Sequence, residues 1–412
     1  MGMTSRERVT IACNFKEPDK VPIGLGSTRS TTFHVDAYAN LVRELGYGLE
    51  PVKAFDAGLM KAHVDMEILQ WMQADVIQLE AIVNCFDLPN EDWKIFTTSL
   101  KNRILVPGGF SPVIDDKGYY NILNAKGEVI SHMCPGGIYF DSVAPTAMSD
   151  SIEHNDPESF VKTLPMLKEE HLRLLEKRAK LYYESTEYAI HGNFVMSDLF
   201  GPHICGHPFG DWMILLITEP DYCRVHLEAM VDWTIDNLKS YLQATGPYLH
   251  SILISTADFG SQKSEMISPE VYKEIYLPAY KRICDYIHTN SDVKVMAHCC
   301  GSIRKLIPYF IEAGIDILNP IQTNAGGMKA EELKAEFGGR IVFWGGGMDL
   351  QGVLRDSTPE EISEHVSHQV KVFGKGGGYV FTPNHNVQPD VPVENVIAMI
   401  EAVNECREYP LS

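Results

Sequence analysis

No apolar run in this sequence approaches the roughly 18–20 residues that a membrane helix needs, so no spanning helix is expected. No basic stripe is present either. The chain carries 35 Lys and Arg against 55 Asp and Glu, a formal net charge of −20. That balance argues against a nucleic-acid partner and favours solubility without naming a ligand. A C-x-x-C pair and a P-loop are both missing, as are internal repeats and low-complexity tracts. No secretory h-region stands ahead of the nine cysteines; the chain opens MGMTSRERVT. The cysteines are scattered and odd in number, which reads as free thiols in a reducing cytoplasm.

What is present is ample core material: 412 residues, 45% hydrophobic and 22% charged. Short β-branched or apolar runs alternate with amphipathic segments, as parallel strands joined by crossover helices do. Eight runs read as strands: Pro22–Gly26, Asp75–Glu80, Tyr188–Asn193, Ser251–Ser255, Lys294–His298, Asp316–Asn319, Ile341–Gly345 and Tyr379–Thr382. Eight suit an α/β fold of the (β/α)8, TIM-like barrel type, a single barrel domain over 1–412. Ser268-Pro269-Glu270 and Thr358-Pro359-Glu360-Glu361 carry N-cap and capping-box signals. Val393, Val396, Ile397, Ile400 and Val403 share one face of a last helix. The charged run Pro157–Glu187 reads as one or two surface helices. Val83–Thr146 breaks the pattern with turn clusters such as Asp115-Asp116-Lys117-Gly118, and reads as inserted β-hairpins. These are either a lid over the barrel mouth or a decoration.

In such a barrel the chemistry sits just after the strands. Polar residues recur there: Asp258, His298 and Cys300, Asn319 and Gln322, Asp349, His385 and Asn386. In extended chain i and i+2 point to one side, so His298 and Cys300 face one point while Cys299 turns away. Imidazole with thiolate suits Zn²⁺, and His385 is placed to be a third ligand. The bland alternative is a hydrogen-bonded barrel histidine beside a small buried thiol. Asp258 is a candidate for proton transfer or substrate contact, or else a cap; Asp258-Phe259-Gly260 stands without the other signatures of a kinase. Asp258 or Asp349 could add an oxygen ligand. Arg29 could pair with a carboxylate or lie on the surface. His191 and Asn193 could line the pocket or be core polar residues. Gly345-Gly346-Gly347 and Gly376-Gly377-Gly378 allow tight turns or an anion nest.

These residues make the chain similar to a known group. The segments are Arg6-Glu7-Arg8 through Pro22, Asp258 through Pro269, the His298-x-Cys300-Gly301 turn, Asp316–Gln322, Phe343–Gln351 and Gly377 through Asn395. Together they resemble the uroporphyrinogen decarboxylase superfamily, in particular its corrinoid-dependent methyltransferase branch, over nearly the whole chain. Decarboxylases of that superfamily carry an Arg-rich signature after the first strand, which grips the propionates. Here the position reads Gly24-Leu25-Gly26-Ser27-Thr28-Arg29-Ser30, and one Arg cannot match several carboxylates. Methyltransferases that act on thiols hold zinc by His-x-Cys and a later Cys. This sequence offers His298 and Cys300, with His385 where the later Cys is expected. Related O-demethylases hold zinc by two carboxylates and a later His, an arrangement that Asp349, Glu364 and His385 could mirror.

The resemblance implies methyl transfer between a small methylated donor, such as an aryl methyl ether or methylamine, and a corrinoid (cobalamin) held on a partner protein. It implies zinc as the cofactor, Asp258 and Asp349 as catalytic groups, and Arg29, His191, Asn193, Asn319, Gln322 and Asn386 as substrate contacts. A homodimer is compatible with it. Two other readings stay open: a decarboxylase of a tetrapyrrole or smaller acid, and a non-catalytic corrinoid-binding protein.

Overall fold

The computed structural model describes residues 2–143, 149, 151–194, 199–201 and 203–411. Seven parallel strands form its main sheet: β1 (Val76–Leu79), β2 (Ala189–Asn193), β3 (Ser251–Ser255), β4 (Lys294–His298), β5 (Ile317–Asn319), β6 (Val342–Trp344) and β7 (Tyr379–Val380). Each pairs with the next in that order. The strands are almost continuously apolar because both of their faces are covered.

The two faces belong to two separate cores. Val76, Ala189, Leu253, Met296, Ile317, Val342, Trp344 and Val380 fill the barrel interior, with Val9 and Cys13 of the helix Ser5–Cys13 packed among them. Their neighbours Ile77, Ile190, Ile252, Val295, Leu318, Phe343 and Tyr379 belong to the outer core with the helices. That alternation is the two-residue period of a strand. Two residues further along, the inward set turns polar: Gln78, His191, His298, Asn319 and Thr382 are all buried. The polar layer marks the C-terminal end of the barrel.

The predicted strand Pro22–Gly26 needs correction. It forms no ladder, only one parallel bridge from Ile23 to Phe381. Pro22 has no N–H to give, and the N–H of Ile23 is taken by a side chain, Asp75 Oδ2, at 2.9 Å. The segment still fills the eighth position. Gly24 N donates to Phe381 O (2.9 Å), Phe381 N to Pro22 O (2.8 Å) and Asp75 N to Ile23 O (2.8 Å). The sheet is thereby closed between β7 and β1.

Helices follow the expected signals. Thr358 forms a capping box with Glu361, and Ser268 accepts from Val271 N. After that cap the helix runs through a wide-turn π segment, Tyr272–Tyr276, before Leu277–Asn290. Pro278 cannot donate back to the preceding turn, which favours the wider winding there. Residues 157–187 hold two helices, Pro157–Val161 and Glu169–Ser185, of which only Leu175 and Ala179 are buried. No described helix is long and apolar enough to cross a membrane.

The inserted region is antiparallel. Lys94–Thr97 pairs with Arg103–Val106, and Val113–Ile114, Tyr120–Leu123, Val129–Met133 and Asp141–Ser142 form a second small sheet. Residues 144–146 lie outside the described residues. Phe86, Phe96, Phe110, Tyr120 and Phe140 knit the insertion by ring contacts at 5.4–6.1 Å. Its 134–140 turn reaches back to the barrel. Ile138 O lies 3.0 Å from His34 Nε2, and Tyr139 Oη contacts Gln388 Oε1.

Beneath the barrel, Asp75 ties three other segments to the root of β1. Its Oδ1 accepts from Arg8 Nη1 (2.5 Å) and Ser5 Oγ (2.8 Å); its Oδ2 accepts from Arg407 Nη1 (3.1 Å) and Ile23 N (2.9 Å). The side chains of Asp75 and Arg407 are each 1% exposed. Asp75→Asn leaves two buried guanidinium groups facing a neutral amide. A buried pair broken on one side costs about 3–5 kcal/mol. Urea unfolding should show a loss of that size, and a clearly smaller one for the exposed helix cap Asp156→Ala; equal losses would refute the role.

Candidate metal and substrate site at the barrel mouth

β4 ends at His298 because the chain then turns sharply through Gly301, whose φ is +87°. The loop after β3 packs directly on this turn. A Cβ on Gly260 would meet Cys300 O at 2.5 Å, and one on Gly301 would meet Gly260 C at 2.5 Å. Only glycines allow two backbones so close. The contact brings Asp258 Oδ1 to 2.7 Å from Cys300 N and Phe259 N to 3.2 Å from Cys299 Sγ. Cys299 is thus turned into the core, and Cys300 faces the mouth.

His298, Cys300 and His385 bring their ligand atoms within 4.8 Å of one another. His298 Nε2 is 3.3 Å from Cys300 Sγ, and the His298 and His385 rings are 5.9 Å apart. Tetrahedral zinc sets its ligand atoms about 3.3–3.8 Å apart, so a modest closure would complete three ligands. Asn319 selects the tautomer. Its Nδ2 donates to Trp344 O (2.8 Å), so its Oδ1 must be the atom 2.8 Å from His298 Nδ1. His298 Nδ1 therefore carries the proton, and Nε2 is the nitrogen presented to the trio.

Burial sets the ionisation of these donors. Burial, and then the neighbouring Asp258, push the Cys300 thiol well above its usual range. Desolvation by the cleft walls, then His298 and Lys61, lower His385 and keep its imidazole neutral. Two imidazoles and a thiol that ionises more readily against a positive charge form a donor set that could hold a metal ion such as zinc. Asp258 Oδ1 lies 3.8 Å from His298 Nε2, beside the trio.

Cys300 and His385 line a cleft of about 640 Å³. Gln322 and Asn386 line it too, Gln322 holding Gly301 N (2.8 Å) and Gln262 Oε1 (2.7 Å), and Asn386 holding Thr32 N (2.8 Å). The other expected residues lie elsewhere. Asp349 accepts from Gln351 N (2.9 Å) and Asn324 Nδ2 (3.0 Å), which secures its own loop. Glu364 is exposed on the outer face of the helix Pro359–Gly374, away from the mouth, which removes it from the carboxylate scheme. His191 is fully buried, bonded to Ser251 Oγ (2.8 Å) and set against Trp344 in the barrel interior. Arg29 and Asn193 line a second cavity of about 300 Å³, together with Phe55, Asp56 and Met166. Arg29 Nη2 reaches Asp56 Oδ2 at 3.4 Å. The glycine triplets serve packing: a Cβ on Gly347 would meet Phe381 at 2.3 Å, and one on Gly377 would meet Lys16 O at 2.4 Å.

Sequence reasoning missed Lys61 and Tyr139, both of which line the 640 Å³ cleft. Burial pulls the Lys61 ammonium down to about 8, with Asp56 opposing that shift. A Lys inside the apolar stretch Leu59-Met60-Lys61-Ala62 was the available signal.

Residues 203–406 match the family model of uroporphyrinogen decarboxylase (URO-D). Over 192 residues the chain is 38% identical to a uroporphyrinogen decarboxylase of Psychromonas ingrahamii, covering 45% of this chain and 49% of that one. Over 212 residues it is 26% identical to a methylated-thiol–coenzyme M methyltransferase of Methanosarcina mazei, covering 50% and 51%. The matched part of the chain thus spans about half the length of these curated relatives. A solved methyltransferase from Methanosarcina mazei shares the fold over 98% of this chain and 99% of its own, with a TM-score of 0.58 at 14% identity. By these matches the barrel is TIM-like, and residues 203–406 are a uroporphyrinogen decarboxylase (URO-D) family domain.

Proposed function

We propose that this chain is a zinc-assisted, corrinoid-dependent methyltransferase, moving a methyl group between a small methylated compound and a corrinoid protein. The observation that carries the reading is the His298, Cys300 and His385 trio at the open mouth. The methyltransferase relative and the methyltransferase barrel support it. Zinc bound to the trio would supply Lewis acidity to the atom that parts from the methyl group. The corrinoid would be brought by the partner protein as the methyl carrier.

The chain's own groups have distinct tasks in this reading. Asn319 holds the His298 tautomer, and the Gly260–Gly301 contact holds Cys300 in place. Asp258, half exposed, accepts from Cys300 N and sets a carboxylate 3.8 Å from His298 Nε2, within reach of a bound compound. Gln262, Gln322 and Asn386 line the walls and orient the bound compound. Tyr139 extends the inserted region over the cleft, which favours a lid or framing role for that turn. Much of the gain would be orientation.

A decarboxylase is the second reading, favoured by the family model and the relatives named uroporphyrinogen decarboxylase. Arg29, its expected carboxylate holder, lies against Asp56 in the separate cavity.

Metal analysis of the purified protein should find about one zinc per chain, lost in both His298→Ala and His385→Ala. Asn319→Ala should keep the site but weaken zinc roughly 10–100-fold in chelator competition. Cys300 must lose a proton on binding, so zinc should be held more weakly at pH 6 than at pH 8. Methyl transfer is read with a Co(I) corrinoid protein and a donor panel. No transfer from any donor, with carbon dioxide released from a carboxylic acid instead, would replace this reading by the decarboxylase.

A further inference from the structure

Lys61 lies on the short strand Lys61–Ala62, paired with Ala54–Asp56. Its side chain is only 6% exposed, yet it lines the cleft that holds Cys300 and His385. Its position beside His385 is set by backbone. Lys61 bridges His34, and Ala62 N donates to Phe33 O (2.9 Å). His34 N in turn donates to Val387 O (2.9 Å). Two strand spacings, about 10 Å, therefore separate the Lys61 backbone from the segment that carries His385 and Asn386.

The ammonium shares its anion with a second cation. Among the described residues it makes no hydrogen bond, and its nearest carboxylate oxygen is Asp56 Oδ2 at 3.9 Å. Asp56 is already engaged by Gly58 N (3.2 Å), Leu59 N (3.1 Å) and Arg29 Nη2 (3.4 Å). Two cations thus share one carboxylate, and the group facing the cleft is Lys61. The other cation on the cleft wall, Arg355, is paired with Asp356 (2.8 Å) and Asp390 (3.7 Å). A buried ammonium short of partners is costly, and a structure that keeps one has use for it as a receptor of negative charge.

We infer that Lys61 is the anion-holding residue of the mouth, and that the methylated compound taken there carries a carboxylate. This rests on the methyltransferase reading of the same cleft and narrows it. A carboxylate would bridge Lys61 and the amide NH2 of Asn386 on the same wall, the Asn386 Oδ1 being held by Thr32 N. The methyl-bearing end is then left to face the trio. A quaternary ammonium donor would meet an uncompensated like charge and is turned away.

The test is calorimetric binding to the zinc-loaded full chain, with 3-methoxybenzoate, its neutral analogue 3-methoxybenzamide, and tetramethylammonium. The wild-type protein should prefer the carboxylate over the amide by about tenfold or more and bind tetramethylammonium least. Lys61→Met should abolish that preference with zinc content unchanged, and Lys61→Arg should restore part of it. No carboxylate preference in the wild type, or a preference that survives Lys61→Met, overturns the inference. A Lys61→Met protein that has lost its zinc or its thermal transition is replaced by Lys61→Arg and Lys61→Gln, judged by the same preference. Methyl transfer is scored separately. Lys61-dependent carboxylate binding without transfer rejects the methyltransferase reading but keeps the anion site. Transfer from neutral or cationic donors, indifferent to Lys61, keeps that reading and rejects the anion site.

Discussion

The barrel depends on one buried carboxylate. Asp75 stands at the root of β1 and is the point where the first helix, the eighth wall segment and the tail after the last helix meet. Seven strands alone make a curved sheet with two free edges, and free edges are unstable in water. The segment at 21–24 is too short and too proline-bound to close that gap by a ladder. Main-chain bonds hold that segment to β7 and to the Asp75 N–H, and the Asp75 carboxylate takes the remaining Ile23 N–H in place of a ladder bond, its charge neutralised by two arginines. Closure in turn sets the spacing of the strand ends, and the mouth residues inherit their positions from it.

Above that base, the geometry of the mouth is held by amides and glycines more than by the reactive groups themselves. Asn319 reads the Trp344 carbonyl and passes its orientation to His298. Asp258 ties the loop after β3 to the turn after β4 through the Cys300 N–H. The Cys300 thiol and the His298 imidazole are therefore held by the protein's own frame, as preorganised groups are.

Much of this was legible in the sequence, for physical reasons. Strand runs and caps report local structure, and seven of the eight predicted strands are present at nearly the expected bounds. His298 and Cys300 could be singled out because i and i+2 share a side in extended chain, although Cys300 lies in the turn after β4 and is held there by the loop after β3. Residues whose positions depend on tertiary folding were less accessible. His191 shares the inward face of β2 with Asn193, yet it sits one layer deeper and packs on Trp344. Arg29 follows the first wall segment as expected, but Asp56 draws it into a neighbouring cavity. Lys61 gave no periodic signal because its strand is two residues long. Glu364 falls inside the helix that the Thr358-Pro359-Glu360-Glu361 signal opens, and there it is exposed.

The backbone contact between Gly260 and Gly301 also bears on how such a site can change its chemistry over time. The frame at the mouth is built from main-chain atoms that every amino acid shares. The histidine and cysteine are mounted on that frame, while Asp258 is one of its ties. Exchanging a sulfur for a nitrogen or an oxygen would alter the softness of the site, and hence the metal or leaving group it suits, without rebuilding either loop. A barrel of this kind can therefore diverge in reaction while its mouth keeps one shape, as long as the two glycines remain.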